Sequence, residues 1–499
     1  MGKAEMRMET RPVATPKGRA AQASGPESLL SSIAYLGTAR AVVVCMNLVA
    51  TSRLAHALGA TNFGINSFAV SYVAYFLIVV NLGYDTFATR EIAHDATKLR
   101  RMVDSMVTMR LILAVIFIGL LVPSLFLLGL PHLTRTVVLI QGINLFSVAI
   151  GLTSVFQGLQ RMRVVASREF LGSLINMLGI LFLVHNPSDV VLAAWVSAAT
   201  MALTNLPLLL RYGQEYGMPR LRLPRSEDWE MARNSMTYFW SILMISVTYN
   251  IHIVLLGLLR NDTEVGLFTA GWKLFTFSIV VPNLLSTLFF PRIANLANQP
   301  AERARSTEIY MQAIILSVLP VTLFGCALIP QILMLLFGPT YMTASTTVVL
   351  LMVNGLVVAL NIGFSIPLTA VGRQKSLLRV LTVGAAGGII LNLMLIPRFG
   401  ANGAAIATLL DEMIILGMLM WDRPEVSVPQ TVKFASRCMV AAIPAAIAVH
   451  FCANIRMLQH SDLAGIACGG LVGSLIYLLV LRLMRIDIRH LALGLRSLG

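Results

Sequence analysis

The sequence predicts an all-α polytopic membrane protein of about fourteen transmembrane helices, with two parallel six-helix repeats forming N- and C-lobes and two extra C-terminal helices. Three observations predict this. First, 57% of the 499 residues are hydrophobic and only 12% are charged, about half the charged share of a soluble domain. A soluble chain this apolar could not cover its own surface; lipid can. Second, the apolar residues fall in runs of about 20, the length that crosses a bilayer as a helix. Third, a set of short motifs recurs in the second half of the chain.

The runs follow in order. Six of them, Leu29–Thr51, Gly64–Tyr84, Ser105–Leu128, Leu133–Val155, Phe170–Val184 and Val190–Leu210, make up the first half. The fifth is short and is expected to extend into the polar segment before it. Six more, Met236–Leu258, Gly266–Phe289, Tyr310–Ile329, Thr346–Thr369, Leu377–Ile396 and Ala401–Met420, make up the second. Val432–Phe451 and Leu463–Met484 complete the set. The domain boundaries that follow are a basic cytoplasmic tail at 1–27, an N-lobe at 28–212, a cytoplasmic linker at 213–235, a C-lobe at 236–421, and the last two spans with a cytoplasmic tail at 422–499. The connections between Thr86 and Asp104 and between Arg211 and Ser235 are the longest, and both are expected to form short interfacial helices.

Charge sets the orientation. With the N-terminus inside, 30 of the 38 Lys and Arg residues fall on the inner side and 5 on the outer; Arg40, Arg110 and Lys273 lie within spans. This split follows the positive-inside rule, so both termini are expected in the cytoplasm. The net charge of +15 is therefore read as topology, not as affinity for nucleic acid. Cys45, Cys326, Cys438, Cys452 and Cys468 all sit in apolar segments with no CxxC pair, and the eight histidines have no ligand spacing. No cofactor and no metal site is expected.

The repeat is legible in spacing. Asn62-Phe63-Gly64 opens span 2 and Glu264-Val265-Gly266 opens span 8; Arg90 and Arg292 each follow their glycine by 26 residues. Gly158-Leu159-Gln160-Arg161 matches Gly372-Arg373-Gln374-Lys375. Six spans per copy is an even number, so both copies share one orientation, a parallel repeat about an axis along the membrane normal. Gly465, Gly469 and Gly473 give a GxxxGxxxG stripe in the last span, a surface for close packing within the chain or between chains.

Several spans carry a polar stripe on one helix face. Span 7 has Asn234, Tyr238, Ser241, Thr248 and His252, and span 8 has Thr269, Lys273, Thr276, Asn283 and Thr287, both at offsets 0, 4, 7, 14 and 18. Span 1 has Arg40, Asn47 and Thr51; span 2 has Ser67, Ser71 and Asp85; span 10 has Asn354, Asn361, Ser365 and Thr369. Stripes in spans equivalent by repeat predict a hydrated cavity between the halves, lined by Arg40, Asn47, Lys273, Thr276, Asn283, Asn354 and Asn361. A cation at mid-membrane costs about 2.5–3.5 kcal/mol on insertion scales, so Arg40 and Lys273 are expected to face water, an anion or a carboxylate. Asp411 and Glu412 are candidate partners for them, or proton carriers. His252 and Asp85 are the other candidate titrating groups, Asp85 belonging with Arg90 to the inner interface. Arg110 is expected to snorkel to the cytoplasm.

Four stretches carry a family resemblance. One runs from Arg53-Leu54 through Leu58-Gly59-Ala60-Thr61-Asn62-Phe63-Gly64 to Thr89-Arg90-Glu91-Ile92-Ala93. The second is Phe156-Gln157-Gly158-Leu159-Gln160-Arg161-Met162. The third runs from Leu255-Leu256-Gly257 to Pro291-Arg292-Ile293-Ala294. The last runs from Leu336-Phe337-Gly338-Pro339-Thr340-Tyr341 through Ala370-Val371-Gly372-Arg373 to Phe399-Gly400-Ala401-Asn402-Gly403. Together they resemble the polysaccharide-biosynthesis (O-antigen) flippases of the multidrug/oligosaccharidyl-lipid/polysaccharide exporter superfamily. The resemblance implies an ion-coupled, alternating-access flippase of a bacterial cytoplasmic (inner) membrane, not an enzyme. Its cargo would be an undecaprenyl-pyrophosphate-linked oligosaccharide for O-antigen or exopolysaccharide assembly. Its partners would be membrane lipid and a polysaccharide polymerase or chain-length machinery. Arg40 and Lys273 lie in spans where such flippases place cavity cations. One departure stands out: His252 occupies the place, five residues before Gly257, where the family often has Asp.

Two other functions compete. A drug or cation antiporter of the same superfamily would favour acids deep in the first half, where Asp85 is the only one and lies near a span end. A non-transporting partner in glycan assembly shares every feature above. An enzyme would need a sizeable outer loop or soluble domain, which these short loops do not provide.

Overall fold

A computed structural model of the protein describes residues 26–296, 298–422, 426–454 and 462–484, with side chains described from Val42 onward except at 462. The expected tails, and the side chain of Arg40, lie outside the described residues. Every regular element among the described residues is helical. Twelve helical stretches are long and apolar enough to cross a membrane. Only 17 to 56% of the apolar window of each is buried inside the protein, so the rest faces outward, where lipid is the medium that can cover it.

Helix α1, Pro26–Asn81, has 56 residues and breaks at Gly59 (φ 68°, ψ 172°). At about 1.5 Å per residue it is more than twice as long as the roughly 30 Å hydrocarbon layer, and its two arms hold the first two expected spans. After the Leu82-Gly83 turn come α2 (Tyr84–His94) and α3 (Leu99–Leu127). The fourth expected span is not one helix but three pieces: α4 (His132–Gly142), α5 (Asn144–Ala149) and α6 (Thr153–Gly158). Then α7 (Met162–Leu183) takes in the polar residues before Phe170, as expected, and α8 (Val190–Tyr216) ends the first half.

The second half starts with α9 (Ser226–Leu259). The eighth expected span divides at Ile279 into α10 (Asp262–Ser278) and α11 (Val280–Asn295). Next are α12 (Pro300–Ala327), α13 (Ile329–Leu336), a 3-10 turn at Pro339–Ala344, and α14 (Ser345–Ala370). Helix α15, Gln374–Trp421, mirrors α1: its 48 residues break at Gly400 (φ 57°, ψ −132°) between the eleventh and twelfth expected spans. The chain ends in α16 (Val428–Ala453) and α17 (Asp462–Leu483).

Of the two long connections, one agrees with the sequence reading and one corrects it. The segment 86–104 is largely helical, but 217–225 contains no helix. It is an extended strap held by ion pairing: Arg222 grips Asp228 through both guanidinium nitrogens at 2.7 and 2.9 Å, and the Arg220 amide donates to Asp104 Oδ1 at 2.9 Å. The span-14 glycines pack within the chain. A methyl at Gly469 would lie 3.3 Å from the Val449 carbonyl, and one at Gly473 would overlap the Val449 side chain, so α17 lies tight against α16.

Candidate functional site at the junction of the halves

The halves meet through residues that correspond by repeat. Thr61 and Thr263, 202 positions apart, share a hydroxyl–hydroxyl hydrogen bond at 2.8 Å. Gly64 and Gly266 have the same separation. A methyl at Gly64 would overlap the Asp262 carbonyl, and one at Gly266 would overlap the Ala60 carbonyl. The contact is reciprocal, as a two-fold relation between like surfaces requires. Only glycine permits backbones to approach this closely.

Asn62 and Glu264, also equivalent, hold the loop tips beside this interlock. Asn62 Nδ2 donates to the Pro187 carbonyl at 2.8 Å, between α7 and α8. Glu264 Oε2 accepts from the Ala401 amide at 2.8 Å, just past the break at Gly400. This carboxylate caps the second arm of α15, whose first amides would otherwise lack partners. Its other oxygen accepts from Arg260 Nε at 3.2 Å. The repeat markers had pointed to these positions, but no sequence pattern said that the two copies touch there.

At the opposite end the halves meet differently. Gly83 lies against the backbone of α9, where a methyl would come within 2.6 Å of the Phe239 amide. Arg90 Nη1 donates to the Tyr238 hydroxyl at 2.9 Å.

The expected cavity residues separate into two groups. Asn47 on α1, Lys273 and Thr276 on α10, and Asn283 on α11 are exposed. Lys273 has no hydrogen-bond or ion-pair partner among the described residues; neither Asp411 nor Glu412 serves it. Asn354 and Asn361 are buried within the second half, which corrects their assignment to an open cavity wall. Both side-chain atoms of Asn354 lack partners, while Asn361 Nδ2 donates to Glu412 Oε2 at 2.7 Å.

The candidate titrating groups differ in their surroundings. Arg110 does not snorkel: it is fully buried and forms an ion pair with Asp85 at 3.0 Å. It also donates to Asn81 Oδ1 and to the Gly151 carbonyl at 3.2 Å, while Asn81 Nδ2 donates to Asp85 Oδ2 at 2.8 Å. The guanidinium is expensive to desolvate, and three oxygen partners offset that cost. In the second half, Asp411 and Glu412 are both buried with no ion-pair partner among the described residues. Asp411 lies over a glycine patch, where a methyl at Gly388 would be 3.0 Å from Oδ2, and its Oδ1 has no hydrogen-bond partner. His252 is buried among aromatic rings, with centroids 4.2 Å from Trp272 and 4.8 Å from Phe268. Its Nε2 has no partner, and those neighbours offer no proton acceptor.

Beside the junction lies an apolar cavity of about 380 Å³. Leu48, Leu274, Val321, Ile332, Met352 and Ile466 line it, so it brings together α1, α10, α12, α13, α14 and α17.

These features define a class: a multi-pass helical membrane protein whose two like halves are interlocked at one end. Comparison with known proteins gives the family. The family model described as polysaccharide biosynthesis protein matches residues 29–297, more than half of the chain. The protein belongs to that family.

Among curated relatives, an uncharacterized membrane protein of Methanocaldococcus jannaschii is 28% identical over 151 residues, 30% of this chain and 28% of that one. The probable flippase AglR of Haloferax volcanii is 27% identical over 179 residues, 35% of this chain and 38% of that one. The chain thus matches well under two thirds of their length. Among solved structures, the lipid II flippase MurJ in an inward closed conformation superposes with TM-score 0.76 at 11% identity, over 91% of this chain and 99% of that one. An inward-facing multidrug transporter of the MATE family gives TM-score 0.58 at 14% identity, over 79% of this chain and 96% of that one. At these identities the likeness is one of fold.

Proposed function

We propose that the protein is a flippase that moves an undecaprenyl-pyrophosphate-linked oligosaccharide from the inner to the outer leaflet of the cytoplasmic membrane, for surface polysaccharide assembly. The observation that carries this reading is Lys273, an unpaired cation on an exposed polar face in mid-span. A cation so placed costs about 2.5–3.5 kcal/mol, and a pyrophosphate group entering from the membrane would compensate it. The family's description as polysaccharide biosynthesis protein and the relative described as a probable flippase support a glycan-related flippase. The apolar cavity beside α1 and α10 suits a prenyl chain.

In this reading residues 28–212 and 236–421 are two lobes that rock against each other. Counting the arms of α1 and α15 separately gives fourteen spans, with both termini in the cytoplasm. The Gly64–Gly266 interlock then closes the outer end. Asp411 and Glu412 are the coupling groups: a carboxylate buried without a cation in a membrane helix needs a proton or a metal cation to compensate it. The antiporter reading is weaker, because Asp85, the acid it would need, is engaged by Arg110.

The test is reconstitution of the purified protein with undecaprenyl-pyrophosphate oligosaccharide, with and without a pH gradient. Inward-to-outward transfer is expected, along with its loss in Lys273→Gln at unchanged abundance. Full transfer by Lys273→Gln would remove the cationic-face argument, and no transfer by the wild type would remove the function.

A further inference from the structure

A second cavity of about 300 Å³ opens at the interlocked end, lined by Leu48, Val49 and Leu336 together with Ser52, Arg53 and His56. It shares Leu48 and Leu336 with the apolar cavity, so the two adjoin, and together they are called the slot. Val49, Ser52, Arg53 and His56 stand at offsets 0, 3, 4 and 7, one face of the first arm of α1. Along that face the lining changes from apolar to basic.

The polar groups divide into those already engaged and those left free. Ser52 Oγ donates to the Leu336 carbonyl at 2.6 Å, pinning α1 to the end of α13. His56 Nδ1 lies 3.0 Å from the Ser52 carbonyl. A carbonyl only accepts, so Nδ1 carries the proton and Nε2 is left for another partner. Gly338 leaves room there: a methyl on it would stand 3.4 Å from Nε2. Arg53 has no hydrogen-bond or ion-pair partner among the described residues, in contrast to Arg260 at the same end, which is held by Glu264 at 3.2 Å. An unengaged guanidinium presents several donors in a plane, the pattern that fits phosphate oxygens.

We infer that this slot is an exit-side site for a polyprenyl phosphate, with Arg53 and His56 on the phosphate and the prenyl chain in the apolar cavity. The inference rests on the lipid-carrier reading above and deepens it. The cargo's phosphate would leave the lobe junction and pause on Arg53, while its chain stays in lipid-like surroundings. A soluble phosphate would use only the polar part of the slot; a lipid phosphate uses both.

The test is native mass spectrometry of the full-length protein in phosphatidylcholine nanodiscs supplied with undecaprenyl phosphate. One retained molecule per chain is expected. The Arg53→Gln/His56→Gln variant should lower occupancy about tenfold or more, Arg53→Lys should keep most of it, and Val321→Trp, in the apolar cavity, should block the chain with the phosphate donors intact. Wild-type occupancy in the double variant, with the same monodisperse elution, overturns the site. Equal retention of phosphatidylglycerol overturns the assignment to a prenyl lipid. Displacement by equimolar inorganic pyrophosphate overturns the assignment to a lipid at all. Arg53-dependent retention in a protein that transfers no glycan would sink the transport reading and leave this site standing. Transfer with retention indifferent to Arg53 would do the reverse.

Discussion

The two halves share a fold and handle buried charge in opposite ways. In the first, Arg110 and Asp85 neutralise each other within a network that includes Asn81 and the Gly151 carbonyl. The same 202-residue offset places Thr287 opposite Asp85 and Asn283 opposite Asn81, so the second half has the amide and lacks the acid. It also places Lys273 opposite Ser71, which is buried. The second half instead buries Asp411 and Glu412 without cations and exposes Lys273 without an anion. A closed ion pair is a structural element whose charge state need not change. Uncompensated acids and a free lysine are groups whose charge state can change with a ligand, a proton or an ion. The two copies share a frame and differ in how they treat charge inside the spans.

The largest effect that would sharpen this contrast is on stability. Asp85→Asn leaves Arg110 buried without its charge partner, a loss of about 3–5 kcal/mol, read as a lowered thermal midpoint in nanodiscs. Arg110→Met should cost clearly less, because the Asp85 side chain is 45% exposed against 1% for Arg110 and can still reach water. Equal losses would mean that the pair does not work as described.

The interlock should behave symmetrically where the charges do not. Gly64→Leu and Gly266→Leu each overpack a backbone contact, at about 1–3 kcal/mol, and should reduce transfer by similar factors. Transfer intact in either would show that this end need not close as seen here. Glu412→Gln keeps the contact with Asn361 and should change stability by less than about 1 kcal/mol, yet remove the dependence of transfer on an ion gradient. Persistence of that dependence would move coupling elsewhere. The smallest effect is expected at Thr61→Val, which removes one hydrogen bond worth about 0.5–1.5 kcal/mol. Its signature is faster labelling of nearby engineered cysteines at the interlocked end.

Much of the frame was legible in the chain. Apolar run length gave the spans because a bilayer imposes one length on every helix that crosses it. The motifs around Gly64 and Gly266 marked the repeat because each copy needs the same small residue at the same contact. The breaks inside α4–α6 and at Ile279 were not legible: apolar composition is insensitive to where backbone geometry interrupts a helix. Neither was the burial of Asn354 and Asn361. A polar stripe reads the same whether it faces water or another helix.

By itself the sequence determined the class, the family and the repeat, since each follows from local composition or from spacing along the chain. Only the tertiary structure decided which charges are paired. Arg110 and Asp85 are 25 residues apart, and no one-helix pattern joins them. It also decided that equivalent glycines touch across the junction, and that Arg53 stands free beside an apolar cavity drawn from six helices. Those facts depend on long-range packing, where a side chain's environment is made by segments far from it in sequence.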